Sequence, residues 1–326
     1  MMHVLISDYE NALEADYGLT IDTIEKAMGE PVDARIYAYG SDEELKEVLA
    51  TADGLITGFL EIGEDILSAC PKLKCISVSG VGYSNIDVAA AANHDVTVCH
   101  IKEYCTEEVA EHALALMMAL NRNLPYYTNQ LEKQHLWKYD TISGHPNLSS
   151  QTVAIFGFGK IGRRVAQMAV AIGMDVIAVD PYAQEADAAA MGVTLVTTDE
   201  AFAKADIITN HMNLTAENRH YFDRAAFAKM ERHPIFINVG RGGSVDEVDL
   251  VEALEQGQIR GAGLDVLEAE NPDMEHCELL GRDNVILTPH SAFYSKESID
   301  KLQTISGANM GYFLAGAHDK IFEVVR

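Results

Sequence analysis

Three polar side chains in the second half of the sequence follow apolar, strand-like segments and are of types that act together in catalysis. Arg241 comes directly after IFINVG, Glu270 lies in the loop after GAGLDV, and His290 comes after VILTP. Because ligands bind beyond the carboxyl ends of the strands in open α/β sheets, we expect these side chains to meet at one sheet edge. A guanidinium binds a carboxylate through two hydrogen bonds, and an imidazole beside a carboxylate can deliver a proton near neutral pH. The set is therefore suited to the reduction of a 2-keto acid.

Each of these residues also has an ordinary structural interpretation. An arginine in a glycine-rich loop is often a surface charge, and a glutamate in an acidic loop is usually solvated. A histidine after a proline is often only a well-paired loop residue. The catalytic interpretation is favoured because all three residues follow a segment with the pattern of a nucleotide-binding loop.

That segment is VAIFGFGKIG, which runs from Val153 to Gly162. A short apolar run of this kind is typical of a strand in a covered parallel sheet. Gly157 would permit a tight turn, Gly159 would let the backbone approach a pyrophosphate, and Gly162 would let helix and strand pack closely. The helix that follows would offer its N-terminal N–H groups to the phosphates.

The next predicted strand, MDVIAVD, ends in Asp180, 18 residues after Gly162. An acid near this spacing binds a ribose 2′-hydroxyl in dinucleotide-binding folds. Pro181 and Tyr182 follow it, so no Arg or Lys stands there to hold a 2′-phosphate. The pattern therefore predicts NAD rather than NADP, whereas the alternative interpretation of the three glycines is a plain strand-to-helix turn.

The bulk composition narrows the class of protein. The 326 residues suffice for two domains, and 48% hydrophobic with 23% charged residues is typical of a globular protein. The net charge of −26 disfavours nucleic acid as a partner. The longest strongly apolar stretch, residues 113–120, is too short to span a membrane, and MMHVLISDYE reads as a first strand rather than a signal peptide. The five cysteines form no CxxC pair, so we predict neither disulfides nor a metal site, and a cytoplasmic location.

Strand and helix signals alternate in two series, which predicts an α/β protein with two doubly wound parallel-sheet domains. The first series has the strands HVLIS, ARIYAYG, GLITG, CISVSG and TVCHI, and Ser41 with Glu44 has the pattern of a capping box. The second series begins at Val153 and continues through DIITNHM, IFINVG, GAGLDV and NVILTPH. The glycine loop therefore lies at the start of the second domain.

Between the two series lies a helix that is apolar almost all round, for which Thr106 is the predicted N-cap. It must be buried on several sides, between domains or against another subunit. Residues 124–150 are polar and aromatic and too long for an ordinary loop, so we interpret them as an arm that reaches over a partner. Residues 104–150 therefore predict a homodimer. A C-terminal helix with Ile299, Leu302 and Ile305 on one face is expected to pack on the first domain.

These stretches resemble the signatures of the D-isomer-specific 2-hydroxyacid dehydrogenase family, over nearly the whole chain. The resemblance implies a flavodoxin-like substrate domain (residues 1–101 with 291–326) and a Rossmann NAD domain (residues 102–290). By that resemblance Arg241 orients the substrate, His290 is the acid/base and Glu270 is its carboxylate partner. Glu270 is preferred over Glu268 because the acid of the family lies five residues after the aspartate that matches Asp265.

The resemblance also implies binding residues. SGVGYSNID is similar to the family's carboxylate-binding loop, which would place the N–H groups of Val81 and Gly82 on the substrate. Asp265 would face the nicotinamide end of the NAD. The residues expected to bind the cofactor are Gly157, Gly159, Lys160, Ile161, Gly162, Asp180, Met212, Asn218, Val239, Gly240, Arg241 and Asp265.

Departures from the family pattern lie in the loop that shapes the substrate pocket: Ser79 and Gly80 replace a frequent Arg-Asn pair, and Ser84 replaces a frequent Asp. Asn213 also replaces a frequent Pro. HSAFYS and EYCTEEVAEHALAL resemble the lactate-type and C-terminal-binding-protein-like branches. The resemblance implies an NAD-dependent D-2-hydroxyacid dehydrogenase. One alternative is formate dehydrogenase, but the resemblance to that branch implies a glutamine as the partner of the histidine, where this chain has Glu270. The other alternative is an NAD-sensing binding protein of the co-repressor type.

Overall fold

The computed structural model describes residues 1–13 and 16–325 and divides into two units. Unit 1 comprises Met1–Tyr104 with Ser295–Arg326, and unit 2 comprises Cys105–Tyr294. The domain boundaries predicted from the sequence, after residues 101 and 290, lie near these divisions, while residues 14, 15 and 326 lie outside the described part.

Unit 1 is built on a parallel sheet whose five strands have the order β2-β1-β3-β4-β5 in the described residues. The strands are β1 (His3–Asp8), β2 (Asp33–Ala38), β3 (Gly54–Thr57), β4 (Cys75–Val78) and β5 (Thr97–Cys99). Strands β3 and β4 are buried on both faces, as their continuous apolar runs predict, whereas the edge strand β2 is largely exposed. All five strands predicted from the sequence are present.

The first helices of unit 1 cover this sheet: α1 (Gly18–Met28), α2 (Asp42–Leu49), α3 (Glu64–Ala69) and α4 (Val88–Asn93). Ser41 is the N-cap of α2, as predicted, and its hydroxyl accepts the Glu44 N–H. The reciprocal half of the predicted capping box is replaced, because the Glu44 carboxylate accepts a hydrogen bond from the Tyr37 hydroxyl.

Unit 2 contains the second parallel sheet, with the strand order β12-β11-β10-β9-β6-β7-β8. Its strands are β6 (Thr152–Phe156), β7 (Asp175–Val179), β8 (Val193–Leu195), β9 (Ile207–Asn210), β10 (Ile235–Asn238), β11 (Gly261–Leu264) and β12 (Val285–Leu287). The order reverses between β6 and β9, which is the arrangement of a Rossmann fold. The predicted fold class is therefore confirmed. The three-residue strand β8, which the sequence did not reveal, forms one edge.

The helices of unit 2 are α5 (Thr106–Asn121), α6 (Leu124–Gln134), α7 (Lys160–Ala171), α8 (Glu185–Ala190), α9 (Thr198–Lys204), α10 (Arg224–Ala228) and α11 (Glu247–Glu255). Thr106 is the first residue of α5, so the prediction that it is the N-cap is wrong by one residue; Cys105 holds that position. Helix α5 packs on α7 and on β10, β11 and β12. Much of its apolar surface is therefore covered within unit 2, without a partner.

The segment after α5 differs from the irregular arm expected from the sequence, because its first half is helix α6. Pro125 lies in the first turn of this helix, where its missing N–H costs nothing. The extended part that follows is held by the buried Gln130, whose amide donates to the carbonyls of Leu136 and Lys138. Trp137 and Tyr139 on this part are 90% and 85% exposed.

The chain returns to unit 1 through α12 (Lys296–Leu314), which packs on α1, β3 and β4 as predicted. Leu302 is buried, while Ile299 and Ile305 are half-buried. Gly311 permits the close approach, since an added Cβ would lie 2.6 Å from Ala27 Cβ. Within residues 1–13 and 16–325, no helix combines the length and apolar character needed to cross a membrane.

Candidate active site

The glycine loop of unit 2 joins β6 to α7 and has the geometry of a dinucleotide-binding turn. Gly157 has a φ of 88°, and a Cβ there would lie 2.9 Å from the His211 and Met212 backbone. A Cβ on Gly162 would lie 2.1 Å from the Gly157 carbonyl oxygen. Apart from its own chain neighbours, no atom of the described residues lies within 4 Å of a Cβ on Gly159, the N-cap of α7. The first and third glycines thus permit close packing, and the second leaves space where a pyrophosphate would meet the helix N-terminus.

Asp180 lies directly beyond β7 and beside this loop. Its Oδ2 accepts the Phe158 N–H at 2.7 Å, and its Oδ1 accepts the Tyr182 N–H at 2.8 Å. A carboxylate has about four acceptor positions, so two remain for ribose hydroxyls. The glycine loop and Asp180 together fit the adenosine half of NAD. Lys160 and Ile161 are the first two residues of α7, directly after this loop.

Other residues expected to bind the cofactor lie beyond the carboxyl ends of β9 and β10. Met212 is half-buried and its N–H donates to Asn210, whereas Val239 and Gly240 are buried just after β10. The Asn218 side chain has a structural task, because it accepts the Thr215 N–H and donates to the Asn213 carbonyl. Its contact with the cofactor stays a prediction.

The structure brings Glu270 and His290 together, although 20 positions separate them in sequence. Glu270 Oε2 lies 2.7 Å from His290 Nδ1, and the side chains of Glu270 and His290 are 29% and 24% exposed. Burial raises the pKa of the Glu270 carboxyl, but the hydrogen bond and charge of His290 and the charge of Arg241 outweigh it, so the net pKa is lowered. Glu270 is therefore an anion that holds His290 through Nδ1, which leaves Nε2 as the atom suited to proton exchange.

Glu268, the other acid of this loop, belongs to a different cluster. Its Oε1 accepts a hydrogen bond from Arg219 and lies 3.0 Å from His220 Nε2. This geometry favours Glu270 over Glu268 as the partner of His290.

Asp265 organises the loop that carries His290. Asp265 is 1% exposed, and its Oδ1 accepts the Thr288 hydroxyl at 2.6 Å and the Ser291 N–H at 2.9 Å. Its Oδ2 accepts the Ala292 N–H, and its carbonyl accepts the His290 N–H. His290 has a φ of 48°, a left-handed conformation that these bonds stabilise. The predicted contact of Asp265 with nicotinamide stays a prediction, and its place in this loop was not foreseen from the sequence.

Arg241 is positioned by a buried amide network that the sequence analysis missed. Its carbonyl accepts the Asn238 side-chain amide at 3.1 Å and the Ser244 hydroxyl at 2.7 Å. Asn210 donates to both Asn238 and Ser244. The amide and hydroxyl groups of this network are almost fully buried, so the backbone of the arginine loop is rigid before any ligand binds.

In unit 1, the predicted carboxylate-binding loop follows β4. Within the described residues, no acceptor is found for the N–H groups of Val81 and Gly82. Asn85 ties this loop to the one after β3 by donating to the Gly58 and Leu60 carbonyls. Two adjacent unpaired N–H groups form the kind of backbone site that binds a carboxylate.

The fold and the site define a protein with a Rossmann NAD-binding domain that carries an arginine and an acid–histidine pair. The family model for the D-isomer specific 2-hydroxyacid dehydrogenase, NAD binding domain, matches residues 114–292. The chain belongs to the D-isomer specific 2-hydroxyacid dehydrogenase family, and NAD is the cofactor of its second unit.

Relatives with different substrates resemble this chain. It is 35% identical to D-3-phosphoglycerate dehydrogenase of Mycobacterium tuberculosis over 89% of its own length and 54% of that protein. The chain thus spans about half the length of the phosphoglycerate dehydrogenases it matches. It is 37% identical to hydroxypyruvate reductase of Thermotoga maritima, over 76% of this chain and 80% of that one. The structure of D-lactate dehydrogenase from Aquifex aeolicus with NAD and lactic acid matches with a TM-score of 0.85 and 27% identity, covering 98% and 97% of the two chains.

Proposed function

We propose that this protein interconverts a 2-keto acid and a D-2-hydroxy acid with NAD as the hydride carrier. The observation that carries the proposal is the Glu270–His290 hydrogen bond in the Rossmann unit. The charge of Arg241 in the same unit helps to lower the pKa of Glu270. An anion-binding group and a proton donor on an NAD domain are what such a reaction requires.

In the proposed reaction, bound NADH supplies the hydride that is added to C2 of the keto acid. Arg241 binds the carboxylate and stabilises the negative charge that develops on the reacting oxygen. The protonated His290 delivers a proton to that oxygen from Nε2. Glu270 holds the ring through Nδ1 and stabilises the imidazolium before the transfer. Val81 and Gly82 donate their N–H groups to the substrate carboxylate.

The residues of unit 1 favour a substrate whose side chain carries no charge. In the described residues, the loops after β1, β3 and β4 (residues 9–13 with 16–17, 58–63 and 79–87) contain no Lys or Arg. Lys102, in the loop after β5, is paired with Glu323 at 3.0 Å. Tyr9, Phe59 and Tyr83 place aromatic rings in those loops. A phosphate in the substrate would need cations that these loops lack, so we favour a pyruvate-like or larger apolar keto acid over a phosphorylated one.

A panel of keto acids tests the proposal. Pyruvate, 2-ketoisocaproate, phenylpyruvate, hydroxypyruvate and 3-phosphohydroxypyruvate would each be assayed by NADH oxidation. We expect the highest kcat/KM for one of the keto acids whose side chain carries no charge, and the D-hydroxy acid as product. Preference for the phosphorylated substrate would contradict the substrate class. NADH binding without turnover of any member would favour the NAD-sensing alternative.

We further propose that the protein is a homodimer in which the arm, residues 124–150, contacts the partner subunit. Leu136, Trp137 and Tyr139 are exposed together on the extended part of residues 104–150. Exposed aromatic side chains at such density are typical of a protein–protein interface. Because α5 is largely covered within unit 2, support for the dimer now comes mainly from the arm.

The location expected from the sequence is the cytoplasm, and it remains part of the proposal. Its support is that none of the five cysteines is in a disulfide, and four of them are buried.

A further inference from the structure

The two peptide groups that present the Val81 and Gly82 N–H groups are both fixed from the same side by the end of β5. The Ile101 N–H donates to the Gly80 carbonyl at 3.0 Å. The next residue back, His100, places Nδ1 2.8 Å from the Val81 carbonyl oxygen. The two residues that follow β5, His100 and Ile101, thus bind two successive backbone carbonyls of the loop.

These carbonyl contacts also determine where the N–H groups point. In a trans peptide the C=O and the following N–H share a plane and point in opposite directions. The Gly80 carbonyl shares its peptide with the Val81 N–H, and the Val81 carbonyl shares its peptide with the Gly82 N–H. Binding both carbonyls on the β5 side therefore directs both N–H groups away from β5. Within the described residues those N–H groups have no acceptor of their own.

The surroundings of His100 keep its ring in this orientation. The Tyr83 ring lies edge-on to the imidazole with centroids 4.9 Å apart. The His100 N–H donates to the Glu323 carbonyl, and its own carbonyl accepts the Asn309 amide. Burial lowers the pKa of His100, which outweighs the opposing effects of the Val81 carbonyl and Glu323. The ring is therefore neutral at pH 7, and the Val81 carbonyl selects the tautomer with the proton on Nδ1.

We propose that His100 is a positioning residue for substrate recognition: its Nδ1–H fixes the Val81–Gly82 peptide so that the Gly82 N–H meets the substrate carboxylate. The inference rests on the proposed function, because it assumes that the loop after β4 binds that carboxylate. His100 itself acts through the peptide and does not touch the reacting atoms.

Three matched variants of His100 separate the hydrogen bond from the shape of the side chain. The Asn Nδ2 is bonded to Cγ, as Nδ1 is in His, so His100→Asn keeps a donor at that position. His100→Leu has the same branched shape as Asn without a donor. His100→Phe keeps a ring against Tyr83 without a donor. Only the loss of the hydrogen bond is common to the Leu and Phe variants.

The test is steady-state keto-acid reduction by the full chain, with NADH affinity measured by fluorescence. We expect His100→Leu and His100→Phe to raise the KM for the keto acid roughly three- to tenfold, the worth of one hydrogen bond. The kcat and the NADH affinity should stay near the wild-type values, and His100→Asn should restore the KM. A general loosening of unit 1 would instead lower kcat and thermal stability in all three variants.

A second readout does not depend on turnover. In ¹⁵N–¹H spectra of each NADH-bound variant, the Gly82 amide should shift on adding oxamate, with the half-saturating oxamate concentration raised in the Leu and Phe variants. Equal KM and oxamate affinity in all variants would overturn the role of His100 and leave the proposed function intact. A wild-type protein that neither reduces a keto acid nor binds oxamate would overturn the proposed function itself.

Discussion

The carboxylate of Asp180 accepts the Phe158 N–H at 2.7 Å, so the acid at the end of β7 also fixes the middle of the glycine loop. This bond gives the side chain a structural task in addition to the predicted one, which is to bind a ribose hydroxyl. Its second oxygen is held by the Tyr182 N–H, so the carboxylate is oriented before any cofactor arrives. Substitutions at this position can separate the two tasks.

Asp180→Asn keeps one oxygen acceptor for the Phe158 N–H and removes the negative charge. We expect it to weaken NADH binding modestly and to strengthen NADPH binding, because the repulsion of a 2′-phosphate is lost. Asp180→Ala should weaken NADH binding further, because the loop also loses its contact. Fluorescence titration with both cofactors measures the two effects. A wild-type protein that already prefers NADPH would show that this interpretation of Asp180 is wrong.

Glu270→Gln tests the acid–histidine pair. Keto-acid reduction requires the protonated His290, and removal of the Glu270 charge destabilises the imidazolium, so the alkaline fall of kcat/KM should move to lower pH. His290→Ala should lower kcat on the order of 10²–10⁴-fold, because the proton donor is gone.

The matched control is Glu268→Gln, since Glu268 is paired with Arg219 and His220 instead. Its pH profile should coincide with that of the wild type. If Glu268→Gln shifts the profile and Glu270→Gln does not, the assignment of the two acids must be exchanged.

Arg241 can be tested with most of its backbone contacts unchanged. Asn238 and Ser244 hold the Arg241 carbonyl rather than its guanidinium, so substitution of the side chain keeps both of these contacts and removes the bond from the guanidinium to the Gly240 carbonyl. Arg241→Ala should raise KM and lower kcat together, because binding of the anion and stabilisation of the transition state are both lost. Arg241→Lys should recover part of the KM but little of the kcat, since an ammonium cannot form two parallel bonds. A change in KM alone would show that Arg241 binds the ground state and the transition state equally.

The strand ends that precede Arg241 and His290 could be predicted from the sequence, because strand ends and glycine spacing are local signals. Gly157 illustrates this, since its left-handed backbone and close neighbours demand glycine. The loops that carry Arg241 and His290 each follow an apolar strand, and parallel strands bring their carboxyl ends to one edge. Local pattern and fold class together were therefore sufficient to place these residues.

The supporting contacts were not predictable in this way. His112 on α5 lies 2.9 Å from the Thr288 hydroxyl, 176 positions away, and Thr288 in turn donates to Asp265. Nothing in the spacing of single residues encodes such a pairing. Helix α6 was missed for a different reason, since it is mostly polar and its two leucines, Leu124 and Leu131, are exposed. Pro125 in its first turn is the signal that could have revealed it.

Asp8 predicts how the stability of unit 1 depends on pH. Burial raises the pKa of this carboxyl from 3.8 to about 6, although the N–H groups of Gly58, Phe59 and Tyr9 oppose the rise. The folded state thus holds the proton more tightly than the unfolded state. Stability from this group is greatest below about pH 4, falls between the two pKa values and is constant above about pH 6.

We expect the free energy of unfolding to lose about 1 kcal/mol between pH 5 and pH 7 from this group alone. Asp8→Asn cannot titrate, so the wild-type curve minus the variant curve isolates the contribution. Urea denaturation across that range measures it. Parallel curves for the two proteins would show that the N–H groups hold the carboxyl at an ordinary pKa.

The arm provides a direct test of the dimer, because Trp137 is the one tryptophan in the sequence and is 90% exposed in the single chain. If the arm docks on a partner, Trp137 becomes buried and its emission moves to shorter wavelength at micromolar concentration. Dilution should return the emission to that of a solvated indole, in step with a fall in mass from twice 35.6 kDa toward 35.6 kDa by light scattering. Leu136→Glu, which adds a charge beside Trp137, should give the monomer at all concentrations. A wild-type protein that remains at 35.6 kDa with solvated Trp137 emission would refute the dimer, since no partner then covers the arm.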